Sequence, residues 1–393
     1  MGGMRSVLLL LGNYHHRTHR GVARYAREHR WHLFAEPAAT SQIPVGWNGD
    51  GVITALNYRQ DLVDFILSVK SPIVDVSLVR AEIGLPRVLG DNEAIGRLAA
   101  EHLLDRGFRS FAWFALFDDP VSAERRHGFA SRLAAAGYRP KEFVWERARG
   151  RRKSAWAARR QWLIRSLHQL QRPLAVFAYN DHVAANVIDA CLDADLRVPE
   201  EVAVVGVDND DLVCECLSVP LSSVHHDLER LGYEGAALLD RLMDGAPAPR
   251  QPIRIPPKGV VMRKSSDVIA VEHPEVAAAL HFIRERYQEP LAVADVVAAT
   301  RLSRRGLEKA FRTHFSRTIN GEILRIRLAH AQELLAQTDQ RIVAVTAATG
   351  FSRPQYFCEV FRQATGKTPR QYRLDARPGG GLAGPRKPAT GNA

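Results

Sequence analysis

The sequence predicts an α/β region of doubly wound parallel sheets followed by an all-α tandem helix-turn-helix region, and three observations carry that expectation. Over the first two-thirds, short β-rich runs alternate with helical stretches. Over the last third one pattern occurs twice, LSRRGLEKAFRTHF at Leu302–Phe315 and FSRPQYFCEVFRQATGKTP at Phe351–Pro369. The copies keep register, because Leu307 and Phe357 lie 50 residues apart, as do Phe311 and Phe361.

The β-rich runs are Val7–Leu11, Gly51–Ala55, Ile73–Val76, Phe111–Ala115, Ala175–Ala178 and Val202–Val207. Helical stretches separate them at Ala94–Arg106, Ala123–Ala136 and His182–Ala194. In open α/β sheets ligands bind beyond the carboxyl ends of the strands. Polar residues at such ends are therefore the candidate binders: Asn13, Asp91 with Asn92, Asn180 with Asp181, and Asp208 with Asn209.

In the first copy of the repeat, Val293, Val296 and Val297 recur at helical spacing, and Arg301-Leu302-Ser303 breaks the pattern. Ser303 suits an N-cap, and Leu307 and Phe311 resume the apolar face at i, i+4. Ser303, Arg304, Arg305, Glu308, Lys309 and Arg312 then face outward, able to contact phosphates and base edges. In the second copy Gly350 suits a left-handed turn and Ser352 a cap, while Arg353, Gln355, Glu359 and Arg362 lie opposite Phe357 and Phe361. Ile319–Gln337 reads as one helix that sets the separation of the two readers.

These elements resemble the AraC-type DNA-binding domain over roughly Pro274–Arg373, through RLAHAQELL, GFSRPQYFCEVFRQATGKTPRQYR and SRRGLEKAF. The resemblance implies two helix-turn-helix units reading neighbouring major-groove segments. Arg301 and Ser316 stand where that family usually has Gly, and Thr346 where Ala is typical, so a strained left-handed Arg301 is expected.

The first two-thirds resembles the LacI-type sensory domain, related to periplasmic sugar-binding proteins, over about Met4–Ser265. The matching segments are DNEAIGRLAAEHLLDRGFRSFAW, ERRHGFASRLAAAGY, AVFAYNDHVAANVIDACLDADLRVPEEVAVVGVDNDD and PLSSVHHDLERLGYEGAALLDRLMDG. The resemblance implies two lobes that close on a small molecule, commonly a sugar, with Asp91, Arg125, Asp181 and Asp208 at ligand-contacting positions. Carboxylates accept hydrogen bonds from vicinal hydroxyls and an Arg fork donates to them. Phe117, Tyr179 or Trp47 would cover the apolar side of a sugar ring. The first loop, Gly12–Arg20 (GNYHHRTHR), departs from the family in its His and Arg content.

LacI-type repressors carry their DNA-binding helices in front. The reverse order here resembles a subfamily of AraC-type regulators of xylose operons. It implies operator DNA, a small sugar such as xylose or another pentose, RNA polymerase if the chain activates, and a homodimer as partners. The expected domains are 4–268 for sugar sensing, 272–375 for DNA binding and a disordered tail at 376–393.

Charge agrees with this. Of a net +11, the residues from Glu272 onward hold 19 Lys and Arg against 11 Asp and Glu, concentrating positive charge in the smaller part. The basic run Arg147–Lys153 reads as a solvated loop. Four cysteines, Cys191, Cys214, Cys216 and Cys358, make neither a secreted disulfide framework nor a zinc site. The His15-His16 and His225-His226 pairs lack a carboxylate at ligand spacing, so no metal is expected, nor any cofactor or catalytic group. Val7–Leu11 is too short for a signal peptide and no stretch is long enough to span a membrane, so a cytoplasmic protein is expected.

Overall fold

Ser6–Leu11 (β1) is apolar on both faces and its last five residues are buried, as a strand covered on both sides must be. The computed structural model describes residues 4–146, 156–270, 273–315 and 317–376. The basic run Arg147–Lys153, Ser316 and most of the expected tail lie outside them. The described residues divide into two compact units, one built on 4–105 and 109–268, the other on 106–108 and 269–376.

In the first unit His16–Glu28 (α1), His32–Phe34 (β2), Glu36–Thr40 (α2), Gly51–Ala55 (β3), Gln60–Ser68 (α3) and Ile73–Asp75 (β4) follow β1. They build a parallel sheet of order β2-β1-β3-β4. Val88–Gly90 (β5) carries the chain to a second sheet, which begins with Asn92–Leu104 (α4), Ser110–Ala115 (β6), Pro120–Ala134 (α5) and Lys141–Val144 (β7). Trp156–His168 (α6), Leu174–Ala178 (β8), Asp181–Asp193 (α7), Val202–Val207 (β9), Asp211–Cys214 (α8) and Ser222–Val224 (β10) complete most of it. The chain returns through Leu228–Met243 (α9), which packs on α1, and Ile253–Ile255 (β11), which pairs with β5. It crosses a third time to Val260–Val261 (β12), giving the six-stranded order β12-β10-β9-β8-β6-β7 with only β12 antiparallel. Two lobes joined by three crossings result.

The first lobe is held by Val7, Leu9, Val22, Ile53 and Leu239 on one face of its sheet and by Leu8, Leu10, Val52 and Ile66 on the other. The second is held by Phe114, Val176, Ile188 and Val204. Within it α4 and α5 cross at contact distance, since a Cβ on Gly96 would meet the Arg125 carbonyl at 2.1 Å. That close crossing seats Arg125.

Among the described residues the second unit has seven helices: Pro274–Arg286 (α10), Val293–Ala298 (α11), Arg304–Phe315 (α12), Ile319–Gln337 (α13), Ile342–Ala348 (α14), Pro354–Thr365 (α15) and Pro369–Ala376 (α16). Helix α13 serves two cores. Its Ile319, Ile323 and Ile326 pack with Val276, Ile283, Val296, Leu307 and Phe311, and its Ala331 and Leu335 with Val345, Phe357 and Phe361. Arg327, midway along α13, donates to the carbonyls of Tyr287 (2.8 Å) and Glu289 (2.7 Å) and lies over the Phe351 ring. The repeat thus becomes two small cores strung on one helix.

Two expectations about this unit are corrected. Arg301 has no left-handed backbone; its N–H donates to Glu275 at 2.6 Å and the turn closes without the strain expected there. Ser352 is not the cap of α15, because Pro354 occupies the first helical position and Arg353 precedes it in extended conformation. Gly350 does take positive φ, +76°. Thr346 is buried, its hydroxyl satisfied by the Ile342 carbonyl at 2.8 Å. No helix among the described residues is long and apolar enough to cross a membrane.

Candidate effector cavity and nucleic-acid interface

The carboxyl ends of strands from both lobes converge on one cavity of about 890 Å³. The first lobe contributes Asn13, Tyr14 and His15 after β1, Asn57 to Arg59 after β3 and Val76 to Val79 after β4. The second contributes Phe117 and Asp119 after β6, Tyr179 to His182 after β8, and Asp208 and Asp210 after β9. Thr18, Asn92, Arg125 and His226 are also part of the wall.

Arg125 is buried and already tightly held. Its Nε donates to Asn92 Oδ1 (3.0 Å), one terminal nitrogen donates to the Tyr179 carbonyl (2.6 Å), and the other lies 3.8 Å from Asp208 Oδ1. Asp208 also accepts from Nδ1 of the buried His226 at 3.2 Å. Burial pushes the Asp208 carboxyl upward, but the His226 hydrogen bond and the Arg125 charge outweigh it and leave the group below the usual carboxylate range. Asp208 is therefore an ionised acceptor.

Asp181 behaves in the opposite way. Burial, reinforced by the Asp208 charge, pushes its carboxyl up to about 7. Its oxygens accept from the Ser223 hydroxyl (2.6 Å), the Asp210 amide (2.8 Å) and the Cys214 thiol (3.4 Å), so much of its accepting capacity is spent within the protein. Asn180 lines the cavity and caps α7 through the Val183 amide at 2.9 Å.

The cavity brings together Asn13, Arg125, Asn180, Asp181 and Asp208 of the expected set, and leaves out Asp91. The Asp91 carboxylate accepts from the Ala94 amide at 2.9 Å as the cap of α4, and it is the neighbouring Asn92 that turns inward. Phe117 and Tyr179 line the space, whereas Trp47 packs beside Phe34 in the first lobe. Sequence reasoning missed Asn57 and Asp119, although both follow strands by the rule that found Asn180. Asp119 is buried, caps α5 through the Ser122 amide at 2.7 Å and accepts from the Tyr179 hydroxyl at 3.3 Å.

Only the first half of the His- and Arg-rich segment, residues 12–15, is a loop. Helix α1 starts at His16, and His15 caps it by accepting from the Arg17 amide at 3.2 Å. The fold also supplies the carboxylate that spacing had hidden, since His15, His16 and Asp210 lie near one another. The cap uses the lone pair of His15 Nδ1, so in the neutral ring Nε2 carries the proton and points toward Asp210 Oδ2 at 4.0 Å, too far for a hydrogen bond. A metal ligand would need the opposite tautomer. Burial pushes His15 and His225 down to about 4, so both rings are neutral at physiological pH.

In the second unit, Ser303 caps α12 through the Gly306 amide at 3.2 Å. Arg304, Arg305, Lys309 and Arg312 are exposed opposite the buried Leu307 and Phe311, and Glu308 pairs with Arg304 at 3.1 Å. On α15, Gln355, Glu359 and Arg362, with Arg353 just ahead, are exposed opposite Phe357 and Phe361. Tyr356, also exposed, was absent from the expected reading face. Two helices, each reached through a short turn and each with a charged outer face, are suited to contact a polyanion.

A two-lobed α/β ligand-binding unit followed by paired helix-turn-helix motifs defines a transcriptional regulator of the AraC type with a periplasmic-binding-protein-like sensor. Residues 100–266 match the model of a periplasmic binding protein-like domain and residues 296–375 that of a helix-turn-helix domain. The xylose operon regulatory protein of Escherichia coli (strain K12) is 30% identical over 382 residues, covering 94% of this chain and 96% of that protein. That of Haemophilus influenzae is 32% identical over 293 residues, covering 74% of this chain and 75% of its own. A solved structure described as the xylose-binding transcription activator xylR matches with a TM-score of 0.59 at 29% identity, covering 94% of this chain and 98% of that one. The chain belongs to the xylose operon regulatory protein family.

Proposed function

We propose that this chain is a sequence-specific DNA-binding regulator, an activator, controlled by a small neutral sugar held between the lobes of its first unit, with D-xylose or another pentose as the signal. The observation that carries the sugar reading is the Asp208–Arg125–Asn92 array on the cavity wall. An ionised acceptor stands there beside a fixed donor fork and an amide, the groups that pair with adjacent hydroxyls. Phe117 and Tyr179 supply aromatic surface for the ring. The names of the relatives support xylose over other sugars.

The domain limits are 4–268 for sensing and 272–375 for DNA binding. Asn13, Arg125, Asn180, Asp181 and Asp208 contact the sugar. Ser303, Arg304, Arg305, Glu308, Lys309, Arg312, Arg353, Gln355 and Glu359 contact DNA. Sugar binds the closed lobes better than the open ones, and that difference is spent on DNA affinity; a tenfold to hundredfold effect needs only about 1.4–2.7 kcal/mol of coupling. The chain acts as a homodimer on paired half-sites and places RNA polymerase beside it. The test is a thermal-shift titration with a panel of pentoses and hexoses. A rise in midpoint that follows RT ln(1 + [L]/Kd) for one sugar supports the reading. No shift with any of them refutes sugar control.

A further inference from the structure

Arg17 occupies the first turn of α1, where a cation opposes the helix dipole. It does not line the cavity, whose wall on that side is made by Tyr14, His15 and Thr18. Its guanidinium instead crosses to the opposite lobe. One terminal nitrogen donates to the backbone carbonyl of Asp208, and the other lies 3.3 Å from Nε2 of His225, on the segment by which the chain crosses back.

The carbonyl it takes belongs to an unusual turn. Asp208 and Asn209 have φ of +104° and +54°, a left-handed pair without a glycine. Such strain persists only where the surroundings over-determine it. The Ser223 hydroxyl accepts the Asn209 amide (2.9 Å), Arg263 donates to Asn209 Oδ1 (2.8 Å) and Asp181 accepts the Asp210 amide (2.8 Å), all within the second lobe. Arg17 restrains the same turn by a hydrogen bond from across the cleft, beside the longer approach of His15 Nε2 to Asp210 at 4.0 Å.

We propose that Arg17 is a positioning residue for the effector: it holds the turn that presents the Asp208 carboxylate to the cavity and draws the lobes together before the sugar arrives. The proposal rests on the cavity being the sugar site. It makes Arg17 act through Asp208 and never on the ligand. A preset closure slows escape of the bound sugar and does not assist its entry.

The test compares the full-length wild type with Arg17→Gln and Arg17→Lys. Without sugar, hydrogen exchange in Arg17→Gln should quicken at least fivefold in peptides spanning 12–20 and 208–213 and stay unchanged in the central strands 7–11 and 202–207. Arg17→Lys, whose ammonium can still reach one carbonyl, should restore part of the protection. Unchanged exchange at the cleft overturns the proposal, and so does exchange raised equally in the central strands, which would make Arg17 a residue of general stability. With D-xylose as probe, stopped-flow binding to Arg17→Gln should show dissociation at least tenfold faster and association no slower. Slower association with unchanged dissociation contradicts it. If the wild type binds no D-xylose, D-xylose is not its signal, and the exchange comparison alone decides whether Arg17 bridges the lobes.

Discussion

Asp208 accepts a 3.2 Å hydrogen bond from Nδ1 of His226, and the two residues line the cavity from different segments of the sensory unit, Asp208 after β9 and His226 where the chain crosses between lobes. A carboxylate can only accept, so the bond fixes the His226 tautomer and leaves Nε2 without a proton. That nitrogen lies against Gly90, at the first crossing, where a Cβ would meet it at 2.2 Å. The group proposed to hold the sugar is thereby in contact with the segments that must flex when the lobes close.

Asp208→Asn keeps the shape and suits a left-handed backbone while removing the charge. Sugar affinity should fall at least tenfold, about 1.4 kcal/mol or more, with sugar-free DNA binding within a factor of two of wild type. Calorimetry with D-xylose and anisotropy on an operator duplex measure the two. Equal losses in both would mean a folding defect.

Arg305→Ala and Gln355→Ala should weaken specific DNA binding by roughly 1–3 kcal/mol each and non-specific binding by less. Titrations on selected and scrambled duplexes at two salt concentrations separate these effects. Parallel losses on both duplexes would reduce Arg305 and Gln355 to phosphate contacts.

Gly350→Ala should destabilise the second unit by about 2 kcal/mol or more. The position has φ of +76°, and a new Cβ would stand 2.1 Å from the Tyr287 carbonyl, itself the acceptor of Arg327. Thermal unfolding should show a midpoint lowered by several degrees, and an unchanged midpoint would contradict the close packing.

His15 gives the sensory unit a pH dependence whose sign follows from burial. Its folded value of about 4 lies below the unfolded 6.5, so its contribution is fully present above 6.5 and is lost as pH falls toward about 4. The charges facing it are Asp208 and Asp210, which favour protonation, and Arg17 and His16, which oppose it. His15→Asn keeps a good N-cap and removes the titration. Between pH 7.5 and 5 the wild type should lose roughly 1–2 kcal/mol more than this variant. Identical losses in the two proteins would mean that His15 is solvated.

The central strands were legible because an apolar run covered on both sides admits few other structures; Gly51–Ala55 and Val202–Val207 match their expected limits residue for residue. Ile319–Gln337 was equally legible. The site was half legible. The strand-end rule finds the neighbourhood, but whether Asp91 or Asn92 turns inward depends on which of them caps α4, and both side chains are competent to do so. The helix at His16–Glu28 was hidden because His and Arg crowd its first turns, where Asp or Glu is the usual signal. The contact its Arg17 makes, to the Asp208 carbonyl 191 residues further on, is a long-range fact that local pattern does not carry. Arg301 was misjudged because a family preference for glycine was read as a requirement for positive φ.

The most direct measurement is operator binding with and without D-xylose, by fluorescence anisotropy of the full-length protein on a duplex selected from random sequence. Adding the sugar should change operator affinity tenfold or more, an effect that Asp208→Asn abolishes. Equal affinity in the presence and absence of D-xylose and of every other pentose and hexose would contradict it, leaving a DNA-binding protein that no sugar controls.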